Sequence, residues 1–317
     1  MCQGVPQCNY FTWVADAGLE GCKSQCWLKG GNMSYKQAKR GLVSGVSPPR
    51  PPLPARLATR TSAPPSGNER SLFCFSLMVP HSYEKGLLSW QQERSTSIFG
   101  CDAWAVYSNV SIVVAPGVVT HVVQTDLSVK FGGDSYTALN SWIFIAVWKK
   151  VIDERWHKSH KWLVKVDPDA VFFPERLRPV VRAHEGVGYI NNCKYGLHGP
   201  IEVLSAQALS TLEADYNASF DGKAPKECVE RLHFGQWGED FFLSRCLWKI
   251  HQVSRVTVPG LMCEAHCDCP DWYWCNDAER VTFHPFKRVD MYSQCMANSM
   301  AAPGAAAAPA AAHMVAQ

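Results

Sequence analysis

Residues 161–174, Lys-Trp-Leu-Val-Lys-Val-Asp-Pro-Asp-Ala-Val-Phe-Phe-Pro, carry the most information about this chain. The apolar run 162–166 predicts a buried strand, although one lysine lies inside it. Two carboxylates follow at once, Asp167 and Asp169, and such groups at the exit of a buried strand are costly unless they hold a cation or face solvent. The proline between them restricts Asp167 to an extended conformation. This Asp-Pro-Asp turn is therefore a candidate metal site, and an ordinary surface turn is the alternative.

Short apolar runs alternate with helical patterns around this turn. The patterns predict strands over residues 72–79, 103–107 and 112–114, and helices over residues 83–98 and 140–153. Strand–helix–strand alternation predicts an α/β layered domain with a mainly parallel central sheet. Ligands of such sheets bind beyond the carboxyl ends of the strands, where the Asp-Pro-Asp turn lies.

Composition divides the 317 residues into four parts. We expect a small disulfide-rich module over 1–46, a proline-rich linker over 47–70, a catalytic unit over 71–296, and a disordered alanine- and proline-rich tail over 297–317. The formal net charge of +3 does not indicate nucleic acid binding. No apolar run reaches the roughly 18–20 residues that span a bilayer, so we expect no membrane segment in this chain.

The cysteine content indicates an oxidising compartment. Fourteen cysteines and three Asn-x-Ser triplets, at Asn32, Asn109 and Asn217, favour the lumen of the secretory pathway (Golgi or endoplasmic reticulum) or the extracellular space, and permit a glycoprotein. The first residues do not form a signal peptide, so we expect the targeting segment to be missing from an N-terminally truncated chain. The spacing of four cysteines in residues 263–275 does not match common zinc modules and predicts two disulfides in that loop.

Two later segments carry candidate catalytic and binding residues. Glu239 and Asp240 precede a helical pattern, where they either complement the helix dipole or supply a general base. His284, between aromatic residues and a proline, is either a satisfied core histidine or a metal ligand. Lys287 lies three residues further on, near enough to meet a phosphate.

Taken together, these segments resemble the metal-dependent glycosyltransferases of the GT-A fold, the group that contains fringe-like and beta-1,3-galactosyltransferase-like enzymes. Asp167-Pro-Asp169 stands where that family keeps its Asp-x-Asp motif, Gly238-Glu239-Asp240 looks like its Glu-Asp pair, and His284 looks like its late metal-binding histidine. The segment 199–209 resembles the acceptor-side Gly-x-x-x-Val-Leu-Ser motif. The resemblance covers about residues 71–290. The proline inside Asp-x-Asp, the cysteine-rich insertion and the start of the acceptor segment depart from the family pattern.

Residues 2–45 resemble the second half of a PAN/Apple domain, through the stretches that start at Cys8 and Cys22. Such domains are disulfide-bonded modules that bind protein or carbohydrate outside cells. The expected fold is thus a GT-A-like α/β domain preceded by a partial PAN/Apple-like fragment.

The resemblance implies transfer of a sugar from a nucleotide-sugar donor to a hydroxyl of a glycan or glycoprotein, with inversion. It implies that Asp169, Asp167 and His284 bind Mn²⁺ or Mg²⁺, with Asp167 contacting the metal or the nucleotide ribose and Lys287 the diphosphate. Asp240 is the predicted base and Glu239 the reserve. Two alternatives stay open: a non-catalytic carbohydrate- or protein-binding protein with a degenerate transferase domain, and a metal-dependent hydrolase.

Overall fold

The computed structural model describes residues 10–14, 26–29, 42–46, 71–134 and 136–302. The chain divides into two units, Met1–Pro64 and Pro65–Gln317. The first contains a three-stranded antiparallel sheet of order β2-β1-β3, formed by β1 (Tyr10–Val14), β2 (Cys26–Lys29) and β3 (Leu42–Val46). The predicted linker 47–70 lies outside the described residues, as does most of the PAN/Apple-like fragment.

The second unit is a mixed α/β domain. Its strands are β4 (Leu72–Leu77), β5 (Ala103–Ser108), β6 (Val113–Ala115), β7 (Val118–Val119), β8 (His121–Val122), β9 (Lys130–Gly132), β10 (Thr137–Leu139), β11 (Trp162–Val166), β12 (Val171–Phe172), β13 (Tyr189–Asn191), β14 (Ile201–Ser205), β15 (Arg255–Thr257), β16 (Met262–Cys263) and β17 (Thr282–Phe283). Its α-helices are α1 (Glu84–Glu93), α2 (Ser141–Asp153), α3 (Pro174–Ala183), α4 (Ala206–Ala218), α5 (Lys226–Arg231), α6 (Glu239–Arg245) and α7 (Val289–Ala301).

A seven-stranded sheet of order β15-β13-β14-β11-β4-β5-β8 forms the centre of this unit. Only β14 runs antiparallel to its neighbours, so the sheet is mainly parallel, as predicted. Alternate residues of β4 enter different cores: Phe73 and Phe75 pack with α2 and α4, and Leu72 and Cys74 pack with α3. The sheet is therefore covered on both faces, which explains the near-continuous apolar strands.

Several predicted elements differ in detail from the observed ones. The helix predicted over 83–98 ends at Glu93 and is followed by a separate 3₁₀ turn, Ser97–Gly100. The strand predicted over 112–114 is β6, which pairs with β7 in a hairpin rather than in the central sheet. The pattern after Asp240 continues beyond α6 as a π-helical turn, Cys246–Ile250.

The folded unit extends past the predicted boundary at Met296. Helix α7 continues to Ala301, and Ser299 on its last turn is fully buried and accepts a hydrogen bond from Arg176 (2.7 Å). The tail prediction was wrong for these residues because an alanine-rich composition does not exclude a helix that packs on the core. Residues 303–317 lie outside the described part of the chain.

Five disulfides cross-link this unit: Cys74–Cys101, Cys193–Cys267, Cys228–Cys246, Cys263–Cys269 and Cys275–Cys295. All four cysteines of the 263–275 segment are bonded, but only one pairing is internal to it. The expectation of two disulfides within the loop was therefore wrong, because Cys267 and Cys275 bond to partners distant in sequence. No helix among the described residues is both long enough and apolar enough to span a membrane.

Candidate active site

A cleft of about 290 Å³ lies where the Asp-Pro-Asp turn leaves β11. Both predicted carboxylates line it, and the lining also includes Glu84, Glu239, His284 and Lys287. The turn follows the carboxyl end of a strand flanked by helices, so the cleft occupies the position where parallel sheets bind ligands. Five of the six residues singled out from the sequence therefore line one cavity; Asp240 does not.

The three predicted metal ligands meet in this cleft. Each of Asp167, Asp169 and His284 offers a ligand atom, and these atoms lie within 4.8 Å of one another. His284 Nε2 is 3.4 Å from Asp169 Oδ1. Backbone pairing explains the approach: β17 pairs with β12 directly after the turn, and Phe286 N donates to the Asp169 carbonyl (2.8 Å).

The cleft has a negative potential. Burial alone would lower the pKa of His284, yet Asp169 and Glu264 raise it to about 9. Burial raises the pKa of Glu84 to about 7, and the charges of Asp167 and Asp169 add to this rise. Tyr83 donates its hydroxyl to Asp169 Oδ2 (3.0 Å), which helps to hold the carboxylate in place. A cation in the cleft would relieve this crowding of negative charge.

A chain of ionisable groups connects the acidic pair to the predicted metal ligands. Asp240 Oδ2 lies 3.2 Å from His198 Nδ1, and His198 Nε2 lies 2.8 Å from Glu264 Oε2. The same Glu264 oxygen is 3.4 Å from His284 Nδ1, a charge-pair distance without hydrogen-bond geometry. Burial opposes the charge on His198, but Asp240 and Glu264 raise its pKa to about 10. Glu264 therefore faces two imidazoles, hydrogen-bonded to His198 and charge-paired with His284.

A buried lysine connects two carboxylates on the other side of the cleft. Lys165 is 1% exposed, and its ammonium lies 2.7 Å from Asp167 Oδ1, 3.2 Å from Glu239 Oε1 and 2.6 Å from the Gly199 carbonyl. Burial would lower its pKa, but the carboxylates of Asp167 and Glu239 raise it, so the lysine stays charged. Lys165 thereby fixes Asp167 relative to Glu239.

The two acidic side chains at the start of α6 point in different directions. Glu239 lines the cleft, and burial raises its pKa. Asp240 accepts hydrogen bonds from Gly199 N (3.0 Å) and from its neighbour Phe241 N (2.6 Å). Burial would raise the pKa of Asp240, but the hydrogen bonds from His198 and the backbone hold it below its usual range. Of the two acidic residues, Glu239 thus faces the cleft and has the higher affinity for a proton.

Sequence reasoning missed Lys165, which links Asp167 to Glu239, and it missed His198 and Glu264, which connect Asp240 to His284. One signal for Lys165 was present, since the two apolar strands 162–166 and 201–205 each carry one charged residue, of opposite sign. Those residues, Lys165 and Glu202, face each other across β11 and β14. Nothing in the sequence indicates that Glu264, inside the cysteine-rich segment, reaches His284.

A second group of potential metal ligands lies elsewhere in the unit, formed by Asp215, His251 and two cysteines. The cysteines are Cys228 and Cys246, which bond to each other and so offer no thiolate. His251 Nε2 lies 2.9 Å from Asp215 Oδ2 as a simple pair. This group is a structural cross-link rather than a metal centre.

The sequence matches no protein-family model and no curated protein. Among solved structures it is similar to a glycosyltransferase involved in the glycosylation of the major capsid of PBCV-1. The identity is 12%, the match covers 63% of this chain and 87% of that chain, and the TM-score is 0.33. A likeness at this level does not establish a shared fold, so the function rests on the site itself.

Proposed function

We propose that this chain is a metal-dependent glycosyltransferase of the GT-A-like, hexosyltransferase type. It moves a sugar from a nucleotide-sugar donor to a hydroxyl of a glycan or glycoprotein. The observation that carries the proposal is the convergence of Asp167, Asp169 and His284 in one cleft at the carboxyl edge of the sheet. Their order along the chain, with the acidic pair between them, supports the same reading.

The donor set fits a divalent cation. Two carboxylates suit Mn²⁺ or Mg²⁺, and the single imidazole favours Mn²⁺. The carboxylates that raise the pKa of His284 would also attract a cation, which would displace the imidazole proton on binding. When bound, the ion would act as a Lewis acid that neutralises charge on the departing diphosphate.

The remaining residues of the cleft have roles in donor binding and proton transfer. Asp167 holds the nucleotide ribose or shares the metal, and Lys287 meets the diphosphate. The acidic pair supplies the base for the acceptor hydroxyl. Asp240 is the base that the sequence predicts, but Glu239 is the member of the pair that lines the cleft, and burial raises its pKa. One base without a second carboxylate acting as nucleophile corresponds to inversion at the anomeric carbon.

Donor turnover tests this function directly. We expect Mn²⁺-dependent release of a nucleoside diphosphate from a uridine or guanosine diphosphate sugar, and only when an acceptor is present. Glu239→Gln should abolish this release if Glu239 is the base, whereas Asp240→Asn should do so if the predicted assignment holds. Release with water alone would indicate a hydrolase. Absence of any Mn²⁺-dependent donor binding, measured by thermal shift, would contradict the proposal.

The carboxylate of Glu264 lies behind the imidazole of His284, at 3.4 Å from its Nδ1. We expect Glu264→Gln to weaken Mn²⁺ binding by about 10- to 100-fold, because a carboxylate behind a metal-binding histidine fixes its orientation and raises its basicity. Mn²⁺ titration followed by electron paramagnetic resonance measures this affinity without any substrate. Glu279→Gln, an exposed glutamate in the same region of the chain, is the matched control and should bind Mn²⁺ like the unaltered protein. Equal Mn²⁺ affinity in both variants would show that Glu264 does not contribute to metal binding.

The five disulfides support a location in the secretory pathway lumen or outside the cell, because such bonds persist in oxidising compartments. We further propose that the N-terminal region is a partial PAN/Apple-like module that binds protein or carbohydrate.

A further inference from the structure

A second cavity, of about 300 Å³, opens at the same edge of the sheet as the Asp-Pro-Asp turn. Strands β13 and β15 run parallel to each other and to β11, and their last residues, Asn191 and Thr257, line it. A later part of α6 also lines it through Ser244 and Arg245, whereas the catalytic cleft is lined by Glu239 at the start of that helix. The two cavities therefore share an element but no lining residue.

Two arginines give this cavity an uncompensated positive charge. The guanidinium carbons of Arg255 and Arg245 lie 3.4 and 5.4 Å from the Trp248 ring centroid. Within the described part of the chain, no carboxylate approaches either guanidinium to 4.0 Å. Lys194, at the same cavity, is by contrast paired with Asp268. Arg255 Nη1 donates one long hydrogen bond to the Tyr189 hydroxyl (3.5 Å), and its guanidinium and that of Arg245 have no carboxylate partner among the described residues. An anionic group can therefore bind them, as the fork of a guanidinium binds anions with two parallel hydrogen bonds.

One buried amide in the lining of this cavity has an oxygen that is unpaired within the described ranges. Asn191 is 4% exposed, and its Nδ2 donates to Thr257 Oγ1 (3.3 Å), but its Oδ1 has no hydrogen-bond partner in the described structure. Buried polar atoms are nearly always paired, so this acceptor indicates a missing donor. The lining therefore combines two guanidinium groups, without a carboxylate partner in the part of the chain that the structure describes, with polar side chains at the ends of β13 and β15.

We propose that this cavity binds an anionic sugar residue, either a hexuronate or a sulfated hexose. The acidic group lies against Arg245 and Arg255, and the sugar ring lies next to the ends of β13 and β15, at Asn191 and Thr257. The volume is at the lower end for ligand pockets and suits a single ring. Tyr195 is 64% exposed at the rim and offers an aromatic face to the carbohydrate.

The inference also names an acceptor class for the proposed transferase. Tyr195 lies three residues before His198, which contacts Asp240, so a glycan seated in the cavity lies beside the acidic pair. An acidic glycan is then the acceptor, and this use rests on the proposed function. The proposed binding of an anionic sugar to this cavity does not depend on the proposed transferase activity.

Calorimetric titration of the full chain tests the binding without nucleotide or metal. The ligands are a disaccharide ending in glucuronate, the counterpart ending in 6-sulfated glucose, the neutral glucose counterpart and inorganic sulfate. We expect an acidic disaccharide to bind, and Arg245→Gln and Arg255→Gln each to weaken it by at least about tenfold, since each removes a charge-assisted hydrogen bond. Arg182→Gln, at an exposed arginine of α3, is the matched control and should leave the affinity unchanged.

Each outcome decides the proposal. Preference for glucuronate or for the sulfated sugar supports it and identifies the source of the charge. Equal binding of the neutral disaccharide, no effect of either arginine variant, or sulfate binding as tightly as the saccharides would overturn it. A chain that binds the acidic sugar but shows no Mn²⁺-dependent donor binding would keep this inference and lose the proposed transferase.

Discussion

Asp169→Asn is expected to reduce sugar transfer by about 10²- to 10³-fold, because it removes a charged ligand from the centre of the metal site. Asp169 is 6% exposed and lies 3.4 Å from His284 Nε2, and Tyr83 donates to its other oxygen. The amide is nearly isosteric, so the fold should persist while the negative charge is lost. The same variant should lose the rise in melting temperature that Mn²⁺ and a nucleotide give to the unaltered protein.

Asp221→Asn is the matched control, since Asp221 is an exposed aspartate in the loop between α4 and α5. It should retain both transfer activity and the Mn²⁺-dependent rise in melting temperature. Circular dichroism of both variants establishes that they fold. Full activity in Asp169→Asn at saturating Mn²⁺ would show that the Asp-Pro-Asp turn is only a surface turn.

Lys165→Met is expected to lower the free energy of unfolding by about 1–3 kcal/mol, because the half-buried carboxylates of Asp167 and Glu239 lose their cation. The Lys165 ammonium is the closest cation to both Asp167 and Glu239, at 2.7 and 3.2 Å. Urea unfolding with the disulfides intact measures the change. The methionine chain fills most of the lysine volume, so the loss reports charge rather than a cavity.

Two further variants separate the effect of losing the Lys165 charge from the effects of losing an exposed lysine or the charge of Glu202. Lys161→Met removes a lysine whose partner Glu185 is mostly exposed, and should cost less than about 1 kcal/mol. Burial raises the pKa of Glu202, and both its carboxyl oxygens lack a hydrogen-bond partner among the described residues, so Glu202→Gln should be nearly neutral. A Lys165→Met variant as stable as Lys161→Met would show that the lysine does not hold the cleft together.

Local patterns predicted the elements that carry the site. The strand before Asp167 and the helix over residues 140–153 agree with the structure almost to the residue, because long apolar runs and four-residue spacing are strong local signals. The sequence predicted the proximity of Asp169 and His284 only through the order of its motifs. The structure explains this proximity by the pairing of β12 with β17.

Long-range relations were not predictable from the same signals. The partners of Cys193 and Cys295 depend on the folded chain path, since cysteine spacing does not determine pairing. Glu264 reaches two histidines only because the folded chain brings the cysteine-rich segment next to both of them. The direction of Asp240, toward Gly199 rather than into the cleft, likewise depends on packing that no helical pattern encodes.

The location of bound Mn²⁺ tests the central claim most directly. Crystals grown with Mn²⁺ and a nucleoside diphosphate, measured at a wavelength where manganese scatters anomalously, place the ion independently of any assay. The account predicts one strong anomalous peak within coordination distance of Asp169 and His284, on the side of the cleft that faces Lys287. A peak elsewhere, or no peak in the cleft at saturating Mn²⁺, would contradict it.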